Sequence, residues 1–375
     1  MTAGPERALA RVDLGAISSN CGRLLSLLAP PTELCAVVKA DAYGHGQAAV
    51  AGAAVAGGAR WLGVATATEA AALREQGFDQ RVLVMGALTR ADAAVALAAR
   101  ADVVAWNDDL VAELIRLAKV AGEPARVHVK LDTGMGRLGT KDATAALALA
   151  DRIGREPTLE LAGLMTHFAT ADERGDDYFP AQLEAFRAFV QAVRERHPAV
   201  IAHAANSAAV YREEASHFDM VRCGIAVYGL DPFGGDPAAR GLEPALRLES
   251  YVADVKRFRP GESAGYGRRW SAEEESWVGV VPIGYGDGVR RGLSNNAELL
   301  VRGRRRPLAG TVSMDNVTIW LGAETDVEPG DEAVLIGEQG GERIRCEELA
   351  ERLDTINYEI PCGLTPRVRR TYEGG

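Results

Sequence analysis

The chain is poor in the features that mark several protein classes. Cysteine is scarce: Cys21, Cys35, Cys223, Cys346 and Cys362 are scattered, odd in number and never spaced C-x-x-C. That argues against a disulfide framework or a thiolate metal site, so no metal is expected. Positive charge is in deficit, with 42 Lys and Arg against 52 Asp and Glu and a formal net charge of -10. The electrostatic footprint of a nucleic-acid binder is therefore missing. Local basic runs such as Arg302 to Arg306 read as solvated hairpin or rim charges. The N-terminal stretch "MTAGPERALARVDL" carries no long apolar run after its charges, so neither a signal peptide nor a membrane span is expected. The expected compartment is the cytoplasm. Fixed-period repeats and low-complexity segments are also absent.

What is present is an ordinary globular composition, 47% hydrophobic and 25% charged, in a chain long enough for two domains. Between residues 34 and 223 one pattern recurs, a short run rich in Val, Leu and Ala followed by a helix-like stretch. The runs are "LCAVVK", "WLGVA", "VLVMG", "DVVAW", "RVHVKLD", "LAGLMTHF", "VIAHAAN" and "MVRCGI". Near-continuous apolar strands separated by helices indicate a parallel sheet covered on both faces, and eight units point to a closed (β/α)8 barrel of TIM type. In "AQLEAFRAFVQAVRER" Leu183, Phe186, Phe189, Val190 and Val193 form one helical stripe. After residue 240 alternating strands follow one another across Gly, Pro and Asn turns, interrupted by the helix "CEELAERLDTI". The expected division is a barrel over 11–240 and a mainly β domain over 241–375 that also takes an N-terminal strand at about 6–12.

In such barrels chemistry sits at the C-terminal edge of the strands, where the loops converge. Here those ends are polar: Lys39 after strand one, Lys130, Asp132 and Arg137 at strand five, His167 at six, His203, Asn206 and Ser207 at seven, and Arg222 at eight. Singly, each is ordinarily a salt bridge or a satisfied core group. Together they suggest a site for an anionic, hydrogen-bonding ligand. A lysine desolvated among cations loses proton affinity, and its amine can then form a Schiff base with an aldehyde. Pyridoxal phosphate meets that description. Ser207, the Gly224 and Ile225 amides and the Tyr43 hydroxyl could cradle its phosphate, and Arg222 could face its ring nitrogen.

The motifs "AVVKADAYGHG", "KLDTGMGRLG", "MTHFA", "HAANSAA", "GIAVYGL", "AGYG", "IGYGDG", "GTVSMD" and "NYEI" together resemble those of the bacterial alanine racemases, pyridoxal-phosphate enzymes of barrel plus β-domain build. The similarity runs over nearly the whole chain. It departs at "RVRR" near the C-terminus, which lacks an expected proline. The resemblance implies interconversion of L- and D-alanine for peptidoglycan by a two-base mechanism, with Lys39 carrying the cofactor and Tyr266 as the second base. It implies that Tyr43, Ser207, Gly224, Ile225 and Tyr358 hold the phosphate, with Asn206 beside them, and that Arg222, oriented by His167 and supported by His203, donates to the ring nitrogen. Arg137 would place the substrate carboxylate, positioned by Lys130, a residue often carbamylated in that family. Tyr266, Tyr285, Met314 and Asp315 would reach into the partner's barrel, making a homodimer with shared sites. Neighbouring cations would be needed to make the Tyr266 phenol a usable base.

Read from residues alone, several of these are plainer. Tyr266 between two glycines is a turn aromatic, Met314 is core filling, His45 satisfies its own loop, and Asp132 could anchor Lys130 and Arg137. Other functions also compete. "GMGRLG" matches G-x-G-x-x-G, but it follows the fifth strand and carries Arg137, which argues against a dinucleotide site. A decarboxylase of the same layout would be expected to carry a catalytic cysteine motif, which neither Cys346 nor Cys362 shows. A non-catalytic pyridoxal phosphate carrier leaves the β domain unexplained. A serine-type or broader racemase shares the scaffold.

Overall fold

Strands that are apolar on both faces must be covered on both faces, and the chain achieves this by wrapping a sheet into a cylinder with helices outside. The structure is a computed structural model that describes residues 6–173 and 175–375. It separates into two compact units. One comprises Ile17–Ala42 and Gln47–Val227; the other comprises the N-terminal segment to Ala16, Tyr43–Gly46 and Tyr228–Gly375.

After a first strand β1 (Leu9–Asp13), eight strands run parallel: β2 (Glu33–Val37), β3 (Trp61–Val64), β4 (Arg81–Val84), β5 (Asp102–Ala105), β6 (Ala125–Lys130), β7 (Leu159–Met165), β8 (Ile201–His203) and β9 (Met220–Cys223). Their order is β8-β7-β6-β5-β4-β3-β2-β9. The seam between β8 and β9 is joined by Asp219 N–H to Ala202 O at 3.1 Å and Arg222 N–H to Ala205 O at 2.9 Å. These are the eight runs read from the sequence. Inside, Cys35, Trp61, Leu83, Val104, Met165 and Met220 pack as one buried cluster.

The outer helices begin where the sequence supplies caps. Thr66 and Thr89 each close a reciprocal box with Glu69 and Asp92. Tyr178–Arg194 buries the expected stripe from Leu183 to Val193, together with Gln182.

In the second unit β1 lies between Leu246–Tyr251, antiparallel, and Arg369–Glu373, parallel, within a seven-stranded sheet. A separate three-stranded sheet joins Asp254–Phe258, Ser276–Val281 and Val317–Gly322. The basic run does form a hairpin, Glu298–Val301 with Arg304–Pro307, but its charges are not simply solvated. Arg305 bonds Glu298, Glu348 and Glu342 at 3.0, 2.7 and 3.1 Å, and Arg302 bonds Asp331 at 2.7 Å. Three carboxylates converging on one guanidinium tie the hairpin to the helix Cys346–Arg352. Among the described residues, no helix is long and apolar enough to cross a membrane.

One glycine is required by space rather than by backbone angle. Gly163 lies inside β7 opposite His128 of β6, and a Cβ there would overlap His128 Nδ1. Gly163→Ala is expected to lower stability by about 2 kcal/mol. A urea midpoint equal to that of the parent would show that the barrel interior yields.

Candidate active site

The chain turns sharply where β2 ends. Ala40, Asp41, Ala42 and Tyr43 all adopt left-handed angles, with φ of 53, 52, 52 and 54°. For residues with a Cβ this costs about 1–2 kcal/mol each, so the turn must be held from outside. Ala42 N–H donates to Val38 O at 3.1 Å, Gln47 N–H donates to Asp41 Oδ1 at 2.8 Å and Gln47 Nε2 to Val38 O at 3.3 Å. Glu69, besides completing its helix cap, accepts from Ala40 N–H at 2.7 Å. Half-buried Lys39 is thereby held at the C-terminal edge of the barrel. Its charge is felt by both Lys130 and His167.

At the end of β6 a carboxylate shapes the loop that carries Arg137. Asp132 accepts from Gly134 N–H and from Gly136 N–H, all at 3.0 Å. Asp132 N–H donates to Thr140 O at 2.8 Å. The close return at Gly139 leaves no room for a Cβ, which would lie 2.9 Å from Asp132 N. The "DTGMGRLG" glycines thus serve a tight turn around an aspartate, not a dinucleotide. Lys130 is buried, and burial with the charges of Arg222, Arg137 and Lys39, opposed by Asp132, pushes its ammonium down from 10.5 to about 8.

Arg222 is 3% exposed. Its Nη1 donates to His203 Nδ1 at 2.8 Å, and its Nη2 donates to Thr166 O at 2.8 Å, Ala204 O at 3.0 Å and His167 Nδ1 at 3.2 Å. Burial lowers the guanidinium to about 10, still charged near neutrality. Burial and then the Arg222 charge hold both His167 and His203 well below the usual histidine range. Both rings are therefore neutral acceptors toward Arg222. The Arg222 Nε–H is left with no acceptor among the described residues, so it can serve a ligand. Ser207 Oγ accepts from Gly224 N–H at 3.2 Å and Ala226 N–H at 3.4 Å, while Asn206 caps the helix Ser207–Arg212 through Ala209 N–H at 3.0 Å. A cationic mouth, a guanidinium with an unused N–H and a serine among backbone amides suit a phosphate-bearing heterocycle such as pyridoxal phosphate.

In the second unit Tyr43 packs on Tyr228 at 4.7 Å and Tyr358 at 6.0 Å between ring centroids. His45 satisfies its loop, Nδ1 donating to Tyr43 O at 3.0 Å. Tyr358 is preceded by Asn357, whose side chain donates to Asp231 O at 2.8 Å and Glu347 Oε1 at 3.0 Å. A second group forms where two loops run together. Tyr285 N–H bonds Ser313 O at 3.0 Å and Gly286 N–H bonds Met314 O at 2.9 Å. Asp315 pairs with Arg367 at 2.7 Å, and Thr311 in the same segment donates to Tyr266 O at 2.8 Å. Tyr266, Met314 and Tyr285 are 74%, 51% and 42% exposed, so Met314 is not the core filler its residue type suggests. Tyr266 does sit in a turn, between Gly265 and Gly267, with φ of 74 and 73°.

Reading by sequence missed Glu69, Gln182, Thr166, His128 and Asp102. Buried Gln182 bonds Thr133 Oγ1 and His167 O, each at 3.3 Å, and Ala169 N–H at 2.8 Å. A polar residue within an otherwise apolar helix stripe was its one available signal. The histidine in "RVHVKLD" and the aspartate opening "DVVAW" stood in plain view as polar breaks in apolar runs.

Comparison with known proteins extends over the same chain. Residues 12–232 match the family model described as alanine racemase, N-terminal domain, and residues 245–372 match that for the C-terminal domain. The alanine racemase of Symbiobacterium thermophilum is 42% identical over 367 residues, 97% of each chain. That of Geobacillus stearothermophilus is 43% identical over 368 residues, 97% of this chain and 92% of the relative. The solved alanine racemase from D-cycloserine-producing Streptomyces lavendulae superposes with a TM-score of 0.94 at 37% identity, covering 100% of this chain and 98% of that one.

The Lys130 environment predicts a pH dependence. Its folded-state proton affinity lies below that of the unfolded chain, so between about pH 8 and 10.5 the unfolded state binds more protons and stability contributed by this residue rises with pH. Lys130→Met is expected to remove that rise. Urea unfolding of both proteins across the range checks it, and parallel curves would refute it.

Proposed function

The chain belongs to the alanine racemase family, and from that premise we propose that it interconverts L- and D-alanine with pyridoxal phosphate, using Lys39 and Tyr266 as its two acid/base groups. The observation that carries the reading is the convergence of Lys39, Lys130, Arg137 and Arg222 around one strand edge with Asp132 as the opposing carboxylate. When bound, pyridoxal phosphate supplies a carbonyl for the amino acid's nitrogen and a ring that accepts electron density from Cα. Lys39 would hold it, Ser207 with the Gly224 and Ile225 amides would take the phosphate, and the resemblance adds Asn206, Tyr43 and Tyr358. Arg222, steadied by His167 and His203, would donate to the pyridine nitrogen.

Racemisation requires a proton to leave Cα on one face and another to arrive on the opposite face. Lys39 Nζ would serve one face and Tyr266 Oη the other. Arg137 would hold the substrate carboxylate, with Lys130 setting its position; Tyr285 and Met314 would bound a small pocket, supported by Asp315. A guanidinium donates a hydrogen bond without surrendering its proton, so Arg222 would leave the ring nitrogen unprotonated and would favour proton exchange over side reactions. Exposure of Tyr266, Met314 and Tyr285 supports a homodimer in which each chain completes its partner's site, since large apolar side chains clustered in water mark contact surfaces. The product suits peptidoglycan synthesis. The buried thiols of Cys21, Cys35, Cys223 and Cys346, none in a disulfide, suit the reducing cytoplasm.

Lys39→Ala is expected to lose imine absorbance and all turnover of L-alanine. Turnover by that variant equal to the parent would overturn the reading, and comparing L-alanine with L-serine and L-lysine tests the substrate. Mixing inactive Lys39→Ala and Tyr266→Ala proteins should restore activity through hybrid dimers with one intact site. No recovery after demonstrated subunit exchange would exclude the shared site.

A further inference from the structure

The bonds that fix Arg222 do not stop at His203. His203 Nε2 lies 2.8 Å from His128 Nδ1, and His128 Nε2 lies 3.0 Å from Asp102 Oδ2. Both imidazoles and the aspartate side chain are fully buried. Asp102 opens β5 and Arg222 stands near the end of β9, so the chain of bonds crosses the barrel interior from strand starts to strand ends. At the far rim Asp102 also receives Arg81 and, at 2.6 Å, Arg126 Nε.

The two ends of this chain are chemically opposite. An ionised carboxylate can only accept and a guanidinium can only donate. Burial alone would raise the Asp102 carboxyl, but the hydrogen bond from His128, the charge of Arg81 and the bond from Arg126 hold it at about 2, so the acceptor end stays ionised. One arrangement then satisfies all three contacts. His128 Nε2–H donates to Asp102, His203 Nε2–H donates to His128 Nδ1, and His203 Nδ1 accepts from Arg222. An extra proton on either ring would set an N–H against Arg222, and the opposite tautomers would set one against it as well. Room for the first ring is made by Gly163, where a Cβ would overlap His128 Nδ1, and Trp61 packs edge-on against the same ring at 5.9 Å.

We propose that Asp102 and His128 are positioning residues that act through His203, fixing the direction of the hydrogen-bond chain and so holding the Arg222 guanidinium in the one orientation that presents its unused N–H to the cofactor ring. They touch neither substrate nor cofactor. The kinetic part of the test rests on the racemase reading; the spectroscopic part does not.

The experiment is nitrogen-15 spectroscopy of histidine-labelled protein, purified with its cofactor, beside steady-state kinetics. In the parent, His128 and His203 should both be neutral and protonated on Nε2. Asp102→Asn retains the side chain's size but can donate as well as accept, so the direction is no longer imposed. It should mix or reverse both tautomers and lower kcat about tenfold with KM within twofold, the range typical of groups that orient a ligand's partner. Arg81→Met removes a charge partner of Asp102 at the rim and should leave both tautomers unchanged. A parent His203 protonated on Nδ1 would overturn the proposal without any variant, as would Asp102→Asn protein with native tautomers and native kcat. Absence of racemisation by the parent would sink the functional reading alone, leaving the tautomers to judge the chain of bonds.

Discussion

A guanidinium buried at the mouth of a barrel sets the terms for much of what surrounds it. Removing Arg222 from water costs on the order of several kcal/mol unless its donors are met. The chain meets those on Nη1 and Nη2 with two backbone carbonyls and two imidazoles and leaves the Nε–H for a ligand. Those imidazoles must be neutral, and their neutrality follows from the same burial and from the arginine's own charge. His203 in turn needs an acceptor for its other nitrogen, which brings in His128 and then the carboxylate of Asp102. One polar demand at the strand ends is thus propagated to the strand starts.

The lysine side of the mouth is organised by a different device. Four residues in the left-handed region after Lys39 end the strand abruptly, and the strain is offset by bonds from elements distant in sequence, most directly Glu69 on Ala40. At the end of β6 Asp132 gathers glycine amides into the loop bearing Arg137. In both cases a carboxylate orders backbone N–H groups so that a cation can be displayed. The barrel keeps like charges close because strands fix where they start, and the proton affinity of Lys130 falls as a result.

Much of this could be read along the chain. The eight apolar runs became the eight strands, the stripe in Tyr178–Arg194 became its buried face, and the polar strand ends gathered at one edge. Those features follow from periodicity and from the rule that parallel barrels do their chemistry at one end. Less visible was whatever depended on partners remote in sequence. Arg305 looked like one of a solvated row until three carboxylates from other segments met it. Met314 looked like core filling until its loop emerged half-exposed. His128 and Asp102 were breaks in apolar runs with no apparent reason, because their reason lies on β8 and β9.

The sequence by itself determined the kind of fold and the inventory of reactive groups, since hydrophobic period, strand length and residue chemistry are local properties. Tertiary structure alone decided which polar groups face one another, because strand register and barrel closure set distances between residues a hundred positions apart. Tautomers, the depressed proton affinity of a lysine and the strain of a left-handed turn all depend on such distances, and no local pattern encodes them.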